Sequence, residues 1–263
     1  MNSKIIKLFL SLLLAVVFIA GSTFAEEGDG KGSKQVFNKP NADPIRAYMN
    51  INFVSTIIKN DGISDINIGQ DASGLIYPKG SGKTAVYTSG FLWGAIVNAP
   101  GEEDPHVGGT VYRTGLQAGW IDASGNVITD DPRVRIFRVR PDTYNNPDVS
   151  GEAQDEAKSV SEVLAQYELD WQEWPGDLGA PYVDGNSNGQ YDPDPTSGDI
   201  PGVPGADQTI WYVTNDQEPT RTSFMYGSQP MGIEMQATFW AYRQTGALGN
   251  MFFRRYLIIN MIL

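Results

Sequence analysis

From Arg46 onward the chain reads mostly with a period of two. "AYMNINFVSTIIKNDG", "TAVYTSGFLWGAIVN", "TVYRTGLQAGWID" and "VRIFRVR" are rich in β-branched and aromatic residues, as are "TIWYVTND", "GIEMQATFWAYRQ" and "MFFRRYLIIN" further along. Successive side chains of a strand point to opposite faces, so each segment predicts a strand with one face against a core. Turn signals separate them: Asn60-Asp61-Gly62, and the tetrapeptide Asp-Ala-Ser-Gly at both Asp71–Gly74 and Asp122–Gly125. The fold class that follows is mainly β, an antiparallel sheet or sandwich-like domain.

One segment changes period. In "SGEAQDEAKSVSEVLAQYELDW", Ala157, Val160, Val163, Leu164, Tyr167 and Trp171 recur at intervals of three and four. That spacing predicts one amphipathic helix, with Ser150 placed to cap it. At the far end, the last apolar segment stops at Leu263 without a turn or polar cap. A long apolar edge strand is an aggregation hazard, so the expectation is a fragment whose natural continuation covers that edge.

The N-terminus has a third texture. "MNSKIIKLFLSLLLAVVFIAGSTFA" sets Lys4 and Lys7 before an apolar run and ends in Thr23-Phe24-Ala25. Residues 1–25 read as a secretory signal peptide. The apolar run is short for a membrane span, and no second run of spanning length follows, so no span remains after cleavage. Residues 26–45, rich in Gly, Lys, Asp and Pro, read as a flexible linker, and 46–263 as the β-rich domain.

Charge and composition narrow the function. The 263 residues carry 19 basic and 31 acidic side chains, a net charge of −12, which loss of Lys4 and Lys7 deepens by two. Such a chain repels phosphate backbones, which excludes nucleic acid, and its field favours cations. Cysteine is absent, so disulfides and Cys-based zinc sites are excluded. An exported chain without disulfides leans on a large core, a bound metal, or both.

Several motifs have a plainer structural meaning than a functional one. Gly80-Ser81-Gly82-Lys83-Thr84 suggests a phosphate loop, but Tyr77 stands where the first glycine belongs and the residues after Thr84 read as a strand. A turn into a strand is the better reading, without a nucleotide. His106, the single histidine, lies beside Glu102, Glu103 and Asp104 and reads as a solvated loop residue rather than a catalytic base. The six tryptophans default to core roles. Trp171 and Trp174, at the helix exit, and Tyr182 are the candidates for a sugar-stacking platform.

The densest chemistry is "YVDGNSNGQYDPDP", within a loop excursion over 182–208. Counting Asp184 as position 1, oxygen side chains fall at 1, 3 and 5 (Asp184, Asn186, Asn188), and Gly189 sits at 6. Gln190 at 7 can offer its backbone carbonyl, and Asp192 stands at 9. That is the first three-quarters of a calcium loop, in which alternate residues turn oxygens inward. Position 12 is Pro195, so the closing ligand falls to Asp194 or, further along, to Asp199 or Asp207. The expected cofactor is a structural Ca²⁺; the alternative is a solvated Asx-rich turn.

The blocks "PKGSGKTAVYTSGFLWGA", "ADQTIWYVTND", "MGIEMQATFWAY" and "GALGNMFFRRYLIIN" resemble the N-terminal region of large exported proteins of Bacteroidota and related bacteria. Those proteins usually end in a type IX secretion sorting domain, which this sequence lacks. The resemblance implies an extracellular or outer-surface protein and carries over no assigned chemistry. The leading expectation is an exported, non-enzymatic structural or adhesion module stabilised by calcium, with glycans or other surface proteins as partners. A carbohydrate-binding module is the alternative, and a carboxylate-dependent glycoside hydrolase fragment the third reading.

Overall fold

A computed structural model describes residues 45–97, 104–112, 114–224 and 227–261. These lie in the second of two compact units, Pro40–Leu263. The signal segment 1–25 and all of the linker 26–45 except Ile45 fall outside the described residues.

The fold is mainly β, with several antiparallel sheets and a few short helices. β1 (Arg46–Met49) pairs with β2 (Thr56–Lys59), and β3 (Leu92–Ile96) with β4 (Pro105–Gly109). Then come β5 (Gln117–Ala118) and β6 (Phe137–Val139), followed by helices α1 (Ser150–Glu156) and α2 (Val160–Gln172). β7 (Tyr182–Val183) and β8 (Ile200–Pro201) form a short ladder. β9 (Gln208–Asn215), α3 (Pro219–Phe224), β10 (Ile233–Ala241) and β11 (Phe252–Asn260) complete the order. The central sheet has five strands in the order β6-β9-β10-β11, with β5 also on β9.

β9 explains why this sheet organises the rest. All eight of its residues are buried, because both faces of the sheet are covered. On one face Ile210, Tyr212, Met235, Ala237 and Phe239 pack with Ala47, Met49 and Ile58 from the β1–β2 ladder. On the other, Trp211 and Val213 join Phe137 and Val139 beneath Trp174 and Ala180. Each large apolar side chain so buried stabilises by about 1.5–3 kcal/mol, which is how the fold holds without disulfides.

The helical segment departs from its expected form. It is two helices, broken where Ala157 adopts a left-handed backbone (φ 53°). The break follows from a second start signal: Ser159 accepts from the Glu162 amide while the Glu162 carboxylate accepts from the Ser159 amide, a complete capping box. Ser150 is therefore not the cap of a long helix; its amide donates to Asp148 Oδ1 at 3.0 Å. Ala157 and Val160, expected on the buried face, are exposed, whereas Val163, Tyr167 and Trp171 are buried.

Both helices are tied to β6 and its flanks by buried ion pairs that the strand pattern of "VRIFRVR" concealed. Arg135 pairs with Asp170, Arg138 with Glu156, and Arg140 with Glu152 at 3.1 Å. Arg138 also stacks over the Tyr167 ring, 4.7 Å from its centroid. Arg135, Arg138 and Arg140 are all buried, so removing one partner strands a charge in the interior.

Two further differences from the sequence pattern are local. His106 is not a solvated loop residue: it lies buried within β4, its ring nitrogen 3.3 Å from the Gln229 carbonyl. The short helix α3 is signalled by no apolar period. The turn at Gly80 and Gly82 does run into a strand, Thr84–Val86.

Candidate cation-binding loop

β7 and β8 pair antiparallel, Tyr182 opposite Pro201 and Val183 opposite Ile200, and close the loop 184–199 at its base. Below that ladder the two limbs touch at Gly185 and Gly198. A Cβ on Gly185 would lie 2.2 Å from the Gly198 carbonyl oxygen, so glycine is required there. Gly189, at the sharp turn, has φ +78°.

Within the loop the oxygen side chains turn toward one another. Asp184 accepts from the Asn188 amide at 3.2 Å and the Gly189 amide at 2.8 Å. Asn186 Oδ1 accepts from the Asn188 amide (3.0 Å), and Asn188 Oδ1 from the Gln190 amide (2.7 Å). Both Asn side chains then donate to the same oxygen, Asp192 Oδ2, at 2.6 and 2.8 Å. Asp184, Asn186, Asn188 and Asp192 are thus brought together, and Gln190 joins through its backbone. Asp194 is not part of this group. It caps the next turn, accepting from the amide and hydroxyl of Thr196 at 2.8 Å each, and the amide hydrogen bond holds its carboxyl below the usual range.

Asp199 has a different role. It is buried, and its two oxygens accept from the Gly185 amide and the Asp192 amide, 2.9 Å each. One carboxylate therefore joins both limbs of the loop as a brace. Asp207 accepts from the Arg243 amide at 2.7 Å, outside the loop altogether.

The aromatic residues hold the loop onto the sheet. Trp171 Nε1 donates to the Pro193 carbonyl (3.0 Å) and Trp174 Nε1 to the Pro181 carbonyl (2.9 Å). Tyr191, which no motif singles out, donates to the Trp171 carbonyl at 2.7 Å and meets Tyr182 edge-on with ring centroids 5.5 Å apart. Burial pushes the Tyr191 phenol well up, keeping it a donor. Trp171 and Trp174 are only 4% and 3% exposed, so neither presents a ring face to a sugar. Tyr182 is half-buried and packs against the cluster that holds Trp174. Both tryptophans have a plain core role.

Among the described residues no group of three or more Asp, Glu, His or Cys side chains could hold a metal ion. Any ion at the loop therefore draws on amide and backbone carbonyl oxygens as well as on Asp184 and Asp192, a donor set suited to Ca²⁺ and poor for transition metals. Each Asn oxygen that accepts one amide keeps a second lone pair for such an ion.

Fold and loop together define a mainly β module with an Asx-rich turn braced against its sheet. The chain matches no protein-family model, and no curated protein or solved structure matches it significantly. Among the described residues no helix is long and apolar enough to cross a membrane.

Proposed function

We propose that the chain is an exported, non-enzymatic module of the cell surface or extracellular space, serving surface structure or adhesion, in which the 184–199 loop is a calcium-held staple. The observation carrying this reading is the convergence of Asp184, Asn186, Asn188 and Asp192 in a loop whose base and sides are already fixed. Asp184, Asn186, Asn188 and Asp192 would hold the ion through side-chain oxygens and Gln190 through its backbone carbonyl. The brace at Asp199 and the Trp171 and Trp174 contacts keep the limbs in place, so little ordering remains for the ion to impose. The apolar leader at 1–25, the acidic charge and the blocks resembling exported Bacteroidota-type proteins support the surface location.

The sugar-platform reading loses its tryptophans to the core. The hydrolase reading gains no carboxylate pair from Glu152, Glu156 or Asp170, which face arginines, nor from Asp199 and Asp216, which accept backbone amides. Calorimetric titration with calcium tests the staple. Saturable binding with Kd of about 10⁻⁴ to 10⁻³ M is expected, with Asp184→Ala or Asp192→Ala abolishing it. No heat of binding in the wild-type chain would refute the calcium assignment.

A further inference from the structure

Asn188-Gly189 is the only Asn-Gly dipeptide in the sequence, and both residues are exposed within the 184–199 loop. The pair matters chemically because an asparagine side-chain amide and the next backbone nitrogen can close into a five-membered imide. That closure is favoured by an unhindered nitrogen, a side chain folded back over it, a donor on the amide oxygen and an acceptor for the nitrogen's proton. The loop supplies all four.

Gly189 has no side chain to crowd its nitrogen, and a Cβ added there would meet nothing within 4 Å, so the space beside it is open. Asn188 Oδ1 accepts from the Gln190 amide at 2.7 Å. A side-chain oxygen bonded to the amide two residues on closes a turn, which carries Asn188 Cγ back over the Gly189 peptide. The same Gln190 N–H is placed to stabilise negative charge on that oxygen as Cγ becomes tetrahedral. Gly189 N–H donates to Asp184 Oδ2 at 2.8 Å, so a carboxylate already holds the proton that the attacking nitrogen must lose. Asn186 makes the same turn, its Oδ1 accepting from the Asn188 amide at 3.0 Å, but its next residue is Ser187, whose Cβ crowds the nitrogen.

We propose that Asn188 is a self-modifying site, at which the folded loop converts asparagine to aspartate and isoaspartate without an enzyme. The Gly189 nitrogen attacks Asn188 Cγ, its proton passes to Asp184, and a new C–N bond forms. The Cγ–Nδ2 bond then breaks, and the departing nitrogen takes up that proton through solvent and leaves as ammonia. Water opens the imide at either carbonyl: at Cγ it yields aspartate, at the main-chain carbon isoaspartate. The net change is one water consumed and one ammonia released, with no oxidant or reductant. Its consequence is electrostatic. Asn188 Nδ2 donates to Asp192 Oδ2 at 2.8 Å; the product sets a second carboxylate in place of that donor, and the two repel. Either product therefore loosens the loop or raises its demand for a cation.

The proposal goes beyond the calcium module, and its test is run in chelator so that the two stand or fall separately. The folded chain and, in parallel, the free peptide of residues 182–195 are held at neutral pH. Peptide mass mapping follows the exchange of NH₂ for OH at each asparagine. Asn188 is expected to convert ahead of every other asparagine, with ammonia released in equal amount, and faster in the folded chain than in the peptide. Asp184→Ala, which removes the proton acceptor, is expected to slow the folded reaction about tenfold. Gln190→Pro, which removes the donor on Oδ1, should slow it as well. A pH profile separates this chemistry from loss of the loop's shape. Proton transfer to a carboxylate gives a rate that hardly changes across neutral pH, whereas closure driven by hydroxide rises about tenfold per pH unit. The folded chain should follow the first profile, and Asp184→Ala and the peptide the second. An Asn188 that stays intact in the folded chain, or converts there no faster than in the peptide, would overturn the proposal. So would a folded rate that climbs with hydroxide.

Discussion

Asp199 carries two hydrogen bonds that hold the loop shut, one to each limb, at Gly185 and Asp192. Asn at this position would turn an NH₂ toward one of those amide donors, removing a bond and opposing two donors in a buried place. A loss of about 1–3 kcal/mol is expected for Asp199→Asn, seen as a lower urea midpoint at unchanged slope. Faster hydrogen exchange at the Gly185 and Asp192 amides would place that loss in the loop. An unchanged midpoint would show that the brace contributes nothing. The residue type is legible in the sequence, where Asp199 stands among the candidates for closing a calcium site. Its bracing role is not, because which amides the carboxylate meets depends on where the chain folds the opposite limb, at Gly185. The same holds for Trp174, buried among Phe137 and Val139 of β6 and Trp211 and Val213 of β9, and for Trp171, which meets Tyr144 edge-on and donates to the Pro193 carbonyl.

The strands are legible because the period-two pattern is local. β10 and β11 fall within the segments whose alternation predicts them, and β9 begins one residue before its segment, at Gln208, and is buried on both faces rather than one. The helix is legible in its second half only. A three-and-four spacing spans the break at Ala157 without registering it, whereas the Ser159 to Glu162 capping box marks the true start. What the pattern could not show is the ionic tie between helices and sheet. Glu156 illustrates its consequence. Burial pushes its carboxyl up, but Arg138 and Lys158 outweigh that and hold it below the ordinary value of 4.5. A folded-state value below the unfolded one contributes stability above the unfolded value, and that contribution is lost as pH falls through the folded one. Stability of the wild-type chain should therefore decline from about pH 5 downward, while Glu156→Gln, weaker at neutral pH, should decline less steeply. Urea unfolding across that range decides it; parallel declines would remove Glu156 from the acid response.

Across the molecule, one theme recurs: an acidic chain without cysteine, held by a two-faced sheet, buried arginines and a braced loop. The sheet accounts for the core, and the ion pairs fix how α1 and α2 sit on it. The loop draws oxygen side chains together with only amide hydrogen bonds between them, and a cation would relieve that crowding. Binding to the folded state alone, at ten times Kd, contributes about 1.4 kcal/mol, equivalent to roughly 3–5 °C for a domain of this size. Scanning calorimetry of the chain in millimolar calcium and in chelator measures this directly. The account predicts a higher melting temperature with calcium and no difference in Asp192→Ala; identical melting of the wild-type chain in both solutions would contradict it.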